Sequence, residues 1–347
     1  MAAEKIRLTR FSGAHANGGR IAPDVLEELL GSAPAFLPPQ LLAGSLTGEE
    51  AAVYQINAQQ AIVASTDFFT PMVDDPYDFG RIAATQAISD IYAVGGTPLF
   101  ALALVGMPGE GLSADVLAKI LEGGEAICRA AAIPVAGRHI IDSVEPIYGL
   151  VAIGLVNPAH LKTAGQAIPG DKLILGKQLG VGIYSAALKQ DILHESDYDS
   201  LVDSATQLNT PGPLLACLDG VHVLSDVTGD GLLGHLVKLS RASQVRATVQ
   251  IDNLPLLARA REIAKAGHVS AEARRNAERY GSELTLAERL GPSDQALLVD
   301  PQTSGGLLVA CAPDTVTEVL SIFLQQGFTH VSVIGEVSDG AVGVSVV

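Results

Sequence analysis

The stretch from Pro76 to Gly96 limits the possible fold more than any other part of this 347-residue chain. A proline opens it, paired glycines close it, and Phe79, Ile82, Ala83, Ala87, Ile91 and Val94 recur between them at helical spacing. Short apolar runs stand on either side: Ala61–Thr66, ending in Asp67-Phe68-Phe69, and Leu99–Val105. Each has the length of a buried strand. Ser113 can cap a second helix running to about Ala132, and Ile147–Val156 gives a third strand. Strand, helix, strand, helix, strand is the signature of an α/β protein, with mixed strand directions left open.

The alternation does not begin at the first residue. Residues 1–45 are rich in Gly, Ala and Pro, with one short helix expected at Asp24–Leu30, and read as a mobile N-terminal arm. Residues 46–157 form a first α/β domain, and Pro158–Gly170 is a Pro/Gly-containing connector at the start of a second, 158–347. There the strands expected are Lys172–Leu175, Val221–Leu224, Val245–Ile251, Gly306–Ala310 and Val331–Val337. A helix follows Gly231, a charged one covers Ser270–Tyr280, and an amphipathic one separates the last two strands. Two domains suit the length, at roughly 100–200 residues each.

Composition removes several function classes. The net charge of −16 argues against a nucleic-acid partner, which needs concentrated Lys and Arg. No uncharged apolar run is long enough to span a membrane, and the charged start MAAEKIRLTR is not a secretory signal. Cys128, Cys217 and Cys311 lie far apart with no CxxC spacing, so they read as buried structural thiols in a reducing cytoplasm. A Walker-type phosphate loop and a Gly-x-Ser-x-Gly elbow are both missing. His139 and His235 belong to no Cys/His metal spacing and read as structural or supporting groups.

Carboxylates concentrate in four short segments: Gly48-Glu49-Glu50-Ala51-Ala52, Ser65-Thr66-Asp67-Phe68-Phe69, Ala87-Ile88-Ser89-Asp90 and Ser225-Asp226-Val227-Thr228-Gly229. Acids at the ends of neighbouring strands can converge on a hard cation such as Mg²⁺, with nucleotide phosphate completing the shell. Asp90 lies one turn after Gln86, so both leave the same helix face. Taken singly, each acid can equally be a helix or turn cap.

Longer words in the sequence decide between those readings. Thr66-Asp67-Phe68-Phe69, the run Asp78–Thr85 continuing through Ile88–Ala93, Glu145–Leu150, Asp226–Gly229 with Gly231–His235, and Asp300–Gly306 resemble selenophosphate synthetase (selenide, water dikinase). The matches keep family order from Arg7 to about Gly335. The resemblance implies the two-domain fold of aminoimidazole-ribonucleotide-synthetase-like proteins and a homodimer with ATP near the interface. It also implies the conversion of ATP and selenide to selenophosphate, AMP and orthophosphate. Carried over by position, Glu50, Asp67, Asp90 and Asp226 would hold Mg²⁺, with Glu50 standing where Asp is usual. Arg20, Thr66, Asp67, Asp90, Gly137, His139 and Asp142 would contact ATP.

The chain departs from the family pattern in its arm, where Asn17 replaces the usual Cys, Gly19 a frequent second Cys, and Arg20 the usual Lys. An amide cannot replace a thiolate nucleophile, whereas Arg20 keeps a positive charge for phosphate in a fixed fork. Gln86 stands where Asn is usual, Arg138 interrupts a Gly-Gly-His word, and Asp230 replaces an aromatic residue. Arg138 and Asp230 add two charges, read either as a compensating pair that reshapes substrate selection or as neutral loop changes. Three functions follow: selenophosphate synthesis, a nucleotide-binding paralogue that regulates a synthetase, or phosphorylation of another acceptor. The Asp300–Gly306 word speaks against the known superfamily acceptors, thiamine phosphate and amides.

Overall fold

The computed structural model describes residues 7–11, 38–44, 50–109 and 112–347. The expected helix at Asp24–Leu30 and the positions Asn17 and Arg20 lie outside those residues. Two mixed sheets organise the chain. The first contains β1 (Leu41–Ala43), β2 (Ala52–Gln55), β3 (Ala61–Phe69), β4 (Thr97–Met107), β5 (Val135–Asp142) and β6 (Ile147–Val156), in the order β1-β2-β3-β6-β4-β5. Only β4 and β5 run parallel in it. The second contains β7 (Lys172–Leu175), β8 (Val221–Asp226), β9 (Arg246–Val249), β10 (Leu284–Leu286), β11 (Leu307–Cys311), β12 (Ser332–Ser338) and β13 (Gly343–Val346). Its order is β10-β13-β9-β12-β7-β11-β8.

Helix α1 (Pro76–Ala93) is the helix expected between Pro76 and the paired glycines. Asp75 caps it by accepting from the backbone of Tyr77 and Asp78. Gly95, at φ +81°, stops it in a conformation that costs glycine little. Every residue from Phe79 to Ala93 except Arg81 is buried. A helix covered all round lies between two layers rather than on one. Its neighbours are β3 and β6 on the first sheet, and β8 and α4 (Glu195–Thr206) from the second half. Helix α2 (Ala114–Ala130) packs on it so closely that a Cβ at Gly123 would run into the Tyr77 carbonyl.

Several expectations shift in detail. Strand β3 continues past Thr66 to Phe69, so Asp67 sits within the strand, on its buried face. Leu41–Ala43, at the end of the expected arm, pair with β2. Strand β5, helix α3 (Val181–Lys189), α4 and the closing strand β13 are absent from the sequence reading. Cys128 and Cys311 are buried, but Cys217 is exposed, with Sγ 3.5 Å from His160 Nδ1. Arg138 and Asp230 do not compensate one another. Arg138 pairs with Glu125 on α2, and Asp230 pairs with Lys238 at 2.6 Å.

Candidate functional site

The four acids reach one place by different routes. Strand alternation turns Ser65 and Asp67 inward from β3, toward α1. Asp90 comes from α1 itself, Glu50 from the segment entering β2, and Asp226 from the last position of β8, opposite Leu307. Carboxylate oxygens of Glu50, Asp67 and Asp90 lie within 4.8 Å of one another. Asp226 borders the same cavity as Glu50 and Asp90, together with His235 and Lys238 of α6 (Gly231–Ser243). Helix α5 (Gly212–Ala216) precedes β8. The cluster therefore straddles the seam between the two sheets.

Hydroxyl groups set the acids' orientation. Ser65 Oγ donates to Asp90 Oδ2, and Ser89 Oγ donates to Asp226 Oδ2 at 2.7 Å. Thr228 Oγ1 lies 3.1 Å from Glu50 Oε1. His235 Nε2 accepts the backbone N–H of Thr228 at 3.0 Å, so the ring proton belongs on Nδ1, 3.3 Å from Ser225 Oγ. His235 thus anchors the turn that carries Thr228, as the sequence reading anticipated. None of these hydroxyl partners was singled out from the sequence, although Ser65, Ser89 and Thr228 all lie inside the carboxylate-bearing segments.

Electrostatically, the cluster is unbalanced. Burial, followed by the charges of Asp226, Asp67 and Glu50, raises the pKa of Asp90 well above the ordinary carboxylate range. Burial and Glu50 do the same to Asp226. Asp90 is 3% exposed, and its Oδ1 has no hydrogen-bond partner. A buried oxygen without a donor, amid mutually repelling carboxylates, fits a bound cation, and an all-oxygen donor set fits a hard one such as Mg²⁺.

The remaining positions named from the sequence divide between two faces of the first sheet. Thr66 pairs with Val151, which pairs with Leu102, which pairs with Gly137, so this row points away from Asp67. His139 shares that outer face through Leu104, Gly149 and Phe68. Asp142 ends β5 and accepts the Gly109 N–H at 2.9 Å. Asp67 and Asp90 are thus brought together with Glu50 and Asp226, whereas Thr66, Gly137 and His139 lie on the opposite side of the sheet. Gln86 shares the buried stretch of α1 with Asp90, and its Oε1 accepts the Ser304 N–H.

The N-terminal domain of AIR synthase related proteins matches residues 48–156, and the C-terminal domain matches 169–347. A selenide, water dikinase of Dechloromonas aromatica (strain RCB) is 62% identical over 348 residues, covering 100% of both chains. One from Pseudomonas straminea is 56% identical, covering 96% of this chain and 94% of its own. Thiamine-monophosphate kinase from Stenotrophomonas maltophilia K279a shares the fold, with a TM-score of 0.65 at 22% identity over 89% of this chain and 91% of its own.

Proposed function

The chain belongs to the selenide, water dikinase family of AIR synthase related proteins, and on that premise we propose that it makes selenophosphate. ATP, selenide and water are consumed; selenophosphate, AMP and orthophosphate are released. Convergence of Glu50, Asp67 and Asp90 within 4.8 Å, beside Asp226, is the structural observation that carries the reading. These four residues would hold Mg²⁺. Bound there, the metal would offset the charge of the polyphosphate and of the phosphoryl group in transit.

The protein's own contribution is orientation. Ser65, Ser89 and Thr228 each bond one oxygen of Asp90, Asp226 and Glu50 respectively, which fixes how each carboxylate faces the cavity. Glu50 keeps the charge of the usual Asp with one methylene more reach, and its contact with Thr228 fixes where that extra length goes. Asn17 offers no thiolate, so selenide must act as nucleophile without one, while Arg20 supplies positive charge for phosphate. The reading as a non-catalytic paralogue is not favoured, because identity to named dikinases extends through the whole chain.

We also propose a homodimer. Tyr54, Ile62, Phe68, Leu102 and Ile141 lie on the outer face of the first sheet and are 38–52% exposed. A contiguous apolar face of this kind is normally covered by a partner. A second copy would cover it and bring new groups toward Thr66, Gly137 and His139. A reducing cytoplasm suits the three free thiols.

Anaerobic incubation with ATP, MgCl₂ and selenide, followed by phosphorus NMR, tests the activity. Selenophosphate should appear with one AMP and one orthophosphate each. AMP without a selenophosphate resonance would overturn the choice of acceptor.

A further inference from the structure

The segment Asp300–Gly306 leads into β11 of the second sheet and is bonded by residues from both halves of the chain. Ser304 adopts φ +51°, uncommon for a residue with a side chain, and its backbone N–H donates to Gln86 of α1. Side chains at Gly305 and Gly306 would run into the Val227 carbonyl and the Lys177 backbone. Lys177, 3% exposed, donates through Nζ to the carbonyls of Ser304 at 2.7 Å and Gln207 at 2.6 Å. Asn209, 1% exposed, donates through Nδ2 to the Gly305 carbonyl at 2.9 Å and to Ser89 Oγ at 2.8 Å.

The polarity of this relay is fixed by chemistry. The Gly305 oxygen can only accept, so the Asn209 amide cannot be flipped. Both Nδ2 protons are then committed, one of them to Ser89 Oγ, and the Ser89 proton is left to go to Asp226 Oδ2. We propose that Asn209, braced through the Ser304–Gly305 turn by Lys177, is a positioning residue that orients Asp226 of the second sheet against Asp67 and Asp90 of the first half. It acts through the Ser89 hydroxyl. The inference rests on the reading of the four carboxylates as a cation site.

Mn²⁺ titration of the full chain, followed by electron paramagnetic resonance, separates the two claims. Asn209→Ala and Ser89→Ala should each weaken Mn²⁺ binding about tenfold, the loss of about 1.4 kcal/mol. The double variant should bind no more weakly than either single one, because both break one relay. Ser89→Ala reaches the same hydrogen bond from α1, so the test survives if one variant does not fold. Ile120→Val, a core truncation on α2, should lower stability and leave Mn²⁺ affinity unchanged. Wild-type affinity in Asn209→Ala, or losses that multiply in the double variant, would overturn the positioning role alone. A wild-type chain that binds no Mn²⁺ would overturn the cation site and the inference with it.

Discussion

Replacing Asp90 by Asn should stabilise the protein without metal and destabilise it, relative to wild type, with metal. Oxygens of Asp90 and Asp67 lie within 4.8 Å of each other, and both residues are buried. At an effective dielectric of about 20, two like charges at that distance repel by about 3.5 kcal/mol. Glu50 is exposed, so its share is reduced by solvent screening. An asparagine keeps an acceptor for Ser65 and matches the shape of Asp, so little is lost on the other side. A net gain of about 2 kcal/mol corresponds to a rise in Tm of roughly 3 °C for a chain of this length. Differential scanning calorimetry at alkaline pH, with EDTA and then with saturating MgCl₂, measures both halves. In EDTA Asp90→Asn should melt above wild type; in Mg²⁺ the order should invert, because only wild type gains from binding. Toward acid pH the gain should shrink, since Asp90 in wild type takes up its proton readily there. A variant that melts below wild type in EDTA would refute the electrostatic reasoning.

Other perturbations probe other parts of the account. Burial pushes the Asp300 carboxyl up to about 7 despite bonds from Gln302 and Gly182. A folded-state pKa raised above the unfolded value makes this group's stabilising contribution fall as pH rises from about 4 to about 7. Asp300→Asn should therefore flatten the decline in urea midpoint across that window; an unchanged slope would count against it. Phe68→Glu puts a charge on the apolar outer face and should shift sedimentation from dimer to monomer, whereas an unaltered dimer would place the interface elsewhere. Gly123→Ala should cost about 1–3 kcal/mol in urea unfolding through overpacking against the Tyr77 carbonyl.

Local signals made much of the fold legible. Helix α1 has its start, stop and apolar spacing written into Pro76, Gly95 and the residues between, and the structure places it there. Strand β5 carries no such signal: it is an edge strand with mostly exposed residues, broken up by Gly137 and Arg138. Helix α3 is buried along Val181–Ala187, so its sequence lacks the polar stripe that marks a surface helix. The four acids were visible because they sit in recognisable words. Their convergence was not, since it depends on α1 being covered by both halves of the chain. Ser89 meets Asp226 and Asn209 across long sequence separations, and no local pattern encodes such pairs. The same limit explains Arg138 and Asp230: each found a charge nearby, in Glu125 and Lys238, rather than the other.

Anomalous diffraction from a crystal grown with Mn²⁺ and a non-hydrolysable ATP analogue tests the central claim most directly. The account predicts density for Mn²⁺ among Glu50, Asp67, Asp90 and Asp226, with phosphate oxygens completing the shell. Bound nucleotide with its metal away from those carboxylates would contradict it.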